Sequence, residues 1–269
     1  MLLLWGLQAL LHIVFYMGLI QNSEGAMACL GHVELEICVD TVEGLRTAQN
    51  LGVDRIELCG PLSVGGVTPS YGMMRAARGS EVPVLAMIRP RSGGFVYSSA
   101  EEGVMMDDID AAREAGLAGV VLGAACRDHT LDQKMLERLV ARAQGMDLTL
   151  HRVFDMTPDP LRALEHAIEL GFARILTSGH AVKAYDGVEQ LARLVRAANG
   201  RISIMAGSGV APNNIAALVD GSAVGAVHAS CRGAVDSWDN VPSEFGFGAT
   251  SRSVDAGVIE GMKLALLGG

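Results

Sequence analysis

The chain has 269 residues, of which 50% are hydrophobic, so it is long enough for one large domain or two small ones. A net charge of −9 with no basic run argues against nucleic acid and anionic membranes as partners. Five cysteines without a CxxC pair do not make a disulfide framework, and the odd count predicts free thiols in a cytoplasmic protein.

The first segment of the chain differs from the rest. Residues 1–20, MLLLWGLQALLHIVFYMGLI, are apolar over a length that can span a bilayer. They lack the basic start and the shorter apolar run of a cleavable signal peptide. We therefore expect an extension at residues 1–29, outside a single domain at 30–269. A membrane anchor, a targeting segment and an extension without a role all stay open.

From residue 33 onward, short aliphatic runs alternate with amphipathic helical patterns. The predicted strands are 33–40, 55–59, 82–89, 119–123, 147–155, 174–179, 202–209 and 223–230. Eight strand–helix units in about 250 residues predict an α/β fold, the (β/α)8 or TIM barrel with parallel strands. The rival fold, a doubly wound open sheet, normally carries a glycine fingerprint after its first strand, and CVDTVEG contains none.

The first two strands contain the same short word, EIC at residues 36–38 and ELC at 57–59. Side chains alternate between the two faces of a strand, and the face toward the helices must be apolar. The central Ile and Leu therefore point outward, and both carboxylates and both thiols point into the barrel. Charges inside a barrel need counterions, and we expect Arg89 or Arg152 to supply them.

Active sites of such barrels lie at the C-terminal ends of the strands, and seven of the predicted strands end in polar or phosphate-compatible groups. The candidate site residues are Glu36, Cys38, Glu57, Cys59, Arg89, Arg91, His151, Arg152, Asp155, Thr177, Ser178, Gly207, Ser208, Gly209, His228 and Ser230. Each has a structural alternative: buried thiols, hydrogen-bonded histidines and arginines that only balance carboxylates.

Two kinds of chemistry fit these residues. Arg89 and Arg91, with Gly207, Ser208 and Gly209 of the loop MAGSGVAPNN, form a candidate phosphate or carboxylate site, and Pro212 is predicted to open the next helix. The residues that would move protons in an enzyme are His151, Asp155 and Glu57. Thiolates on neighbouring strands, by contrast, are soft ligands of the kind that Cu(I) prefers.

Seven ordered motifs resemble the CutC copper-homeostasis family over residues 33 to about 232. These motifs are LEICVDTVEGLRTAQNLGVDRIELC, GGVTPSYG, MIRPRSGGFVYS, HRVFDM, RILTSG, IMAGSGV and VHAS. The resemblance implies a TIM barrel and a cytosolic copper-binding protein that forms a homodimer or homotetramer. It also implies Cys38 and Cys59 as the ligands of Cu(I).

Three functions therefore stay open. The first is copper homeostasis through Cu(I) bound at the strand ends. The second is an enzyme that acts on a phosphorylated or carboxylated small molecule at the glycine loop. The third is a non-catalytic scaffold, which predicts an apolar surface patch and no ligand at the strand ends.

Overall fold

The computed structural model describes residues 32–233 and 253–268. Its strands close into a parallel barrel in chain order, which confirms the predicted fold class. The strands are β1 (Glu34–Val39), β2 (Arg55–Leu58), β3 (Val84–Met87), β4 (Gly119–Leu122), β5 (Asp147–Leu150), β6 (Arg174–Thr177), β7 (Ser203–Gly207) and β8 (Ala226–Ala229). The extension proposed at residues 1–29 lies outside the described residues and stays a prediction.

Helices alternate with the strands and cover the outside of the barrel. In the described ranges they are α1 (Val42–Asn50), α2 (Tyr71–Ala76), α3 (Ser99–Glu114), α4 (Gln133–Arg142), α5 (Pro160–Glu169), α6 (Val188–Ala198), α7 (Ile215–Ser222) and α8 (Ala256–Leu267). Helix α5 begins as predicted, with Pro160 in its first turn and the Asp159 carboxylate accepting the N–H groups of Leu161 and Arg162.

The predicted alternation of side chains in β1 is confirmed. Leu35 and Ile37 are buried in the apolar layer between the barrel and its helices, together with residues such as Leu45 and Ile109. Cys59 belongs to a separate apolar cluster with the β3 and β4 residues Leu85, Met87 and Val121, which is the interior of the barrel. The outer layer is the largest of the three apolar clusters found among the described residues.

Three predicted boundaries were wrong by three residues or more, and one of them is the start of β8, at Ala226 instead of residue 223. Strand β5 ends at Leu150, because His151 Nδ1 accepts the Val153 N–H and residues Arg152–Met156 form a 3-10 turn. Pro212 does not open helix α7, which begins three residues later at Ile215. Asn214 closes the intervening turn, since its side chain accepts the Ala211 N–H and donates to the Gly209 carbonyl.

Among the described residues, we find no helix that is both long and apolar enough to cross a membrane.

Candidate functional site

The pairing of β1 with its two neighbours decides which inward side chains meet. Glu36 lies opposite Arg55 on β2 and His228 on β8, whereas Cys38 lies opposite Glu57. The two matching words in the sequence are therefore staggered by one inward layer. Cys38 is level with Glu57 and not with Cys59, because parallel strands of a barrel are offset along its axis.

Glu36 is completely buried and carries two cationic partners. Arg55 Nε donates to its Oε2 over 2.5 Å, and His228 Nδ1 lies 2.8 Å from its Oε1. Burial alone would raise the pKa of Glu36, but His228 and Arg55 outweigh it and lower the pKa to about 2. The carboxylate is therefore charged, and it orients the imidazole so that Nδ1 faces Glu36.

The expectation that Arg89 or Arg152 would balance the buried carboxylates was wrong. Arg55 and His228 do so at Glu36, and Arg55 Nη1 also donates to Glu34 Oε2 over 3.0 Å. Arg55 was missed in the sequence, although it shares the inward phase of Glu57 and Cys59. Strand phase was the signal that could have found it.

Cys38, Glu57 and His228 form a buried cluster, called here the thiol cluster. One ligand atom from each residue lies within 4.8 Å of the other two. His228 Nε2 is 3.7 Å from Glu57 Oε2. Cys59 adjoins the cluster, because its Sγ donates to the same Glu57 oxygen over 3.4 Å. A thiol, a carboxylate and an imidazole at this spacing can bind one metal ion.

Charges within the thiol cluster are strongly coupled. Burial acts to lower the pKa of His228, but Cys38, Glu57 and Glu36 outweigh it and raise that pKa well above its ordinary value. Burial raises the pKa of Glu57. Burial and the neighbouring Glu57 raise the pKa of Cys59 well above that of a free thiol. A metal must therefore displace protons when it binds here.

A cavity of about 290 Å³ opens over the cluster at the C-terminal ends of the strands. We call it the mouth cavity. Of the predicted site residues, it is lined by Cys38, Glu57, Arg89, His151, Arg152, Ser208, Gly209, His228 and Ser230. Phe95, which is not among the predicted site residues, lines it as well. The predicted residues Glu36, Cys59, Arg91, Asp155, Thr177, Ser178 and Gly207 are not part of its lining.

Asp155 lies behind the cavity and is surrounded by donors. Its Oδ1 accepts from Thr177 Oγ1 over 2.5 Å, and its Oδ2 accepts from Arg152 Nε over 2.7 Å and from Ser178 Oγ over 3.0 Å. These bonds tie the 3-10 turn after β5 to the end of β6. They position Arg152, whose Nη2 also donates to Ser178 Oγ over 2.8 Å. The role of Asp155 as a proton carrier stays a prediction.

The two arginines that follow β3 have different surroundings. Arg91 is on the surface, paired with Glu101 and bonded to the carbonyls of Gly94 and Val96. Arg89 is buried and lines the mouth cavity.

The glycine loop after β7 reaches the cavity through Ser208 and Gly209, both with left-handed backbones at φ 87° and 72°. Gly207 lies one residue deeper, against Leu176.

The model of the CutC family matches residues 33–233, which is the barrel described above. The chain belongs to the CutC family. The family protein CutC of Sinorhizobium medicae is 52% identical over 238 residues, covering 88% of this chain and 97% of the relative. That of Caulobacter vibrioides strain NA1000 is 50% identical over 207 residues, covering 77% and 84%.

Solved structures agree with this membership. The CutC protein of Streptococcus agalactiae, described as a candidate copper homeostasis protein, is 33% identical with a TM-score of 0.71. The match covers 74% of this chain and 98% of that one. Phosphoribosyl anthranilate isomerase of Thermococcus kodakaraensis has a TM-score of 0.57 at 15% identity, covering 88% and 100% of the two chains. At that identity the likeness concerns the fold alone.

Proposed function

We propose that this CutC protein serves copper homeostasis by binding Cu(I) as cargo at the mouth of its barrel. Cys38 is the central ligand, with Cys59 as the second thiol and His228 as the nitrogen donor. The observation that carries the proposal is the buried thiol cluster, in which Cys38, Glu57 and His228 place ligand atoms within 4.8 Å of one another.

The donor set suits this metal. Sulfur ligands select Cu(I), and imidazole is also a good copper ligand, whereas a site for magnesium or calcium would be built from oxygen atoms. Glu36 accepts at Nδ1 of His228 and so directs Nε2 toward Glu57. A carboxylate behind a ligating histidine fixes its tautomer and raises its basicity. Burial further protects a Cu(I) thiolate from water and oxidants.

Cys59 is included as a ligand because its thiol is hydrogen-bonded to Glu57, a member of the thiol cluster. Its thiol donates to Glu57 Oε2, the same atom that faces His228 Nε2. Copper binding releases the thiol proton, so the hydrogen bond to Glu57 is exchanged for a metal–sulfur bond. Copper homeostasis is also the role ascribed to the CutC protein of Streptococcus agalactiae.

The test is a titration of reduced, metal-free protein with Cu(I) in competition with a bicinchoninate chelator. The double variant Cys38→Ala, Cys59→Ala should bind Cu(I) more weakly by at least about 100-fold, and His228→Ala by about tenfold or more. Cys126→Ala is the matched control, because this partly exposed cysteine lies in the loop after β4. Equal Cu(I) affinity in the double variant and in Cys126→Ala would exclude these ligands.

An enzyme acting on a phosphorylated or carboxylated small molecule is the second candidate. It is favoured by Arg89 and His151, which line the same cavity as the thiol cluster. Cys38 and His228 would then face a bound substrate. Turnover can be assayed only once a ligand of this cavity is known.

A further inference from the structure

Arg89 is a buried cation whose charge has no carboxylate partner in the described ranges. It is 7% exposed, and its guanidinium donates to the carbonyls of Val64, Gly66 and Gly93 over 2.7–3.2 Å. No described carboxylate lies within 4.0 Å of it, and its Nε is buried without a hydrogen bond there. A buried charge without a counterion is costly, so the site favours an anion.

His151 supplies a second unused donor in the same cavity. It is 3% exposed, and because Nδ1 accepts the Val153 N–H, the ring proton is on Nε2. Nε2 is buried and has no partner among the described residues. Burial and the nearby Arg89 lower the pKa of His151 to about 3, so the ring is neutral at physiological pH. It is therefore a donor without a charge.

Phe95 holds these two groups together. The Arg89 guanidinium lies 5.1 Å from the centroid of the Phe95 ring, and the imidazole of His151 lies 4.8 Å from the same ring by centroid. Arg89, Phe95 and His151 all line the mouth cavity, and we call them the arginine wall. The backbone carbonyls that hold Arg89 fix its position without neutralising it.

We propose that the arginine wall binds the oxyanion of a small organic ligand, a carboxylate or a phosphate monoester. Arg89 supplies the positive charge and His151 Nε2–H donates a hydrogen bond to an anionic oxygen. A cavity of about 290 Å³ limits the ligand to a small metabolite. A ligand held there shares the cavity with the thiol cluster, since Cys38, Glu57 and His228 line it too.

This site goes beyond copper binding and does not depend on it, because no residue of the arginine wall belongs to the thiol cluster. Calorimetric titration of metal-free protein with inorganic phosphate and, separately, with malonate tests it. The wild type should bind at least one of the two with a dissociation constant of about 1 mM or below. The anion that binds identifies the class of the ligand.

Variants assign the binding to its residues. His151→Phe removes the Nε2 donor, together with the Nδ1 acceptor of the Val153 N–H, but keeps an aromatic ring, and should weaken anion binding about fivefold. Arg89→Met should weaken it about tenfold or more, since a charged donor contributes more than a neutral one. Arg91→Met is the matched control, a neighbouring arginine on the surface, and should bind as the wild type does.

Circular dichroism shows whether Arg89→Met is folded, since Arg89 also holds three backbone carbonyls. If it is unfolded, His151→Phe decides alone. Any of three results would overturn the proposal. The first is unchanged anion binding in a folded Arg89→Met or in His151→Phe. The second is an equal loss of binding in Arg91→Met, and the third is no binding of either anion to the wild type. Cys38→Ser separates the two proposals, because it should lose Cu(I) and keep the anion. Loss of the anion in Cys38→Ser would place it on the thiol cluster instead.

Discussion

At the scale of single residues, the offset between neighbouring strands decides which inward side chains of β1 meet those of β2 and β8. Alternation along the strands places Cys38 and Cys59 inside, and both are buried. The strand offset, however, pairs Cys38 with Glu57. That offset is a property of the closed barrel and has no local signal in either strand. His228 joins the cluster from β8, 190 residues further along the chain than Cys38.

His151 gives a prediction about stability and pH. Its pKa is about 3 in the folded protein and about 6.5 when unfolded, so the unfolded chain binds the extra proton between these values. The free energy of unfolding should therefore fall as pH is lowered from 6.5 toward 3, by about 1.4 kcal/mol per pH unit from this residue. His151→Asn, whose side-chain oxygen can replace Nδ1 as acceptor, should lose this contribution.

Urea denaturation at pH 7 and at pH 5 measures the contribution of His151 to the free energy of unfolding. The wild type should lose about 2 kcal/mol more than His151→Asn between the two pH values. His129→Asn, a change at an exposed histidine with a left-handed backbone, controls for the loss of one imidazole. If the wild type and His151→Asn lose the same free energy of unfolding, His151 is not buried in its neutral form.

At the scale of elements, hydrophobic periodicity and caps predicted the helices and strands well. Two of the wrong boundaries depend on single side-chain bonds, in which His151 accepts the Val153 N–H and Asn214 accepts the Ala211 N–H. Such bonds compete with regular structure over one or two residues and leave the apolar pattern unchanged. The 3-10 turn after β5 also includes Arg152, which lines the mouth cavity.

Close packing of strands predicts an unequal response of two glycines to alanine. A Cβ at Gly119, the first residue of β4, would lie 2.2 Å from the Asp147 carbonyl oxygen on β5. Gly119→Ala should therefore lower the free energy of unfolding by more than about 2 kcal/mol. Gly103→Ala in helix α3 meets no atom within 4 Å and should raise it by about 0.5–1 kcal/mol.

Thermal and urea denaturation of the two variants compare them directly. Because both replace glycine with alanine, the change in the unfolded chain is the same, and the difference reports the folded barrel. Two variants of equal stability would contradict the close approach of β4 and β5.

At the scale of the whole molecule, the repeated strand–helix pattern predicted the closed barrel, and the ordered motifs predicted the CutC family. The mouth cavity was less predictable, because its walls include the loops after β2, β3, β5, β7 and β8, and its shape depends on how these loops fold over the barrel. Seven of the sixteen predicted site residues lie behind the cavity or outside it. The homodimer or homotetramer, the cytoplasmic location and the separate extension at 1–29 stay predictions.

The barrel contains two separate groups of polar residues, one deep in its interior and one at its mouth, where the sequence had suggested a single site. Arg55 and Glu36 form an ion pair deep in the barrel, which holds His228 in place from below. Arg89 and His151 lie on the arginine wall, with donors that no described residue accepts. Arg55 and His228 thus balance Glu36 at depth, whereas Arg89 at the mouth has no carboxylate within 4.0 Å in the part of the chain that the structure describes. Residues of both proposed sites, for Cu(I) and for an organic anion, line the same mouth cavity.

The most direct test of copper binding is X-ray absorption at the copper edge, on wild-type protein loaded with one equivalent of Cu(I). The proposed site predicts a Cu(I) edge with both sulfur and nitrogen scatterers, loss of the nitrogen in His228→Ala and loss of sulfur in the double variant Cys38→Ala, Cys59→Ala. A wild-type spectrum without sulfur, or one that the double variant leaves unchanged, would contradict Cu(I) bound at the thiol cluster.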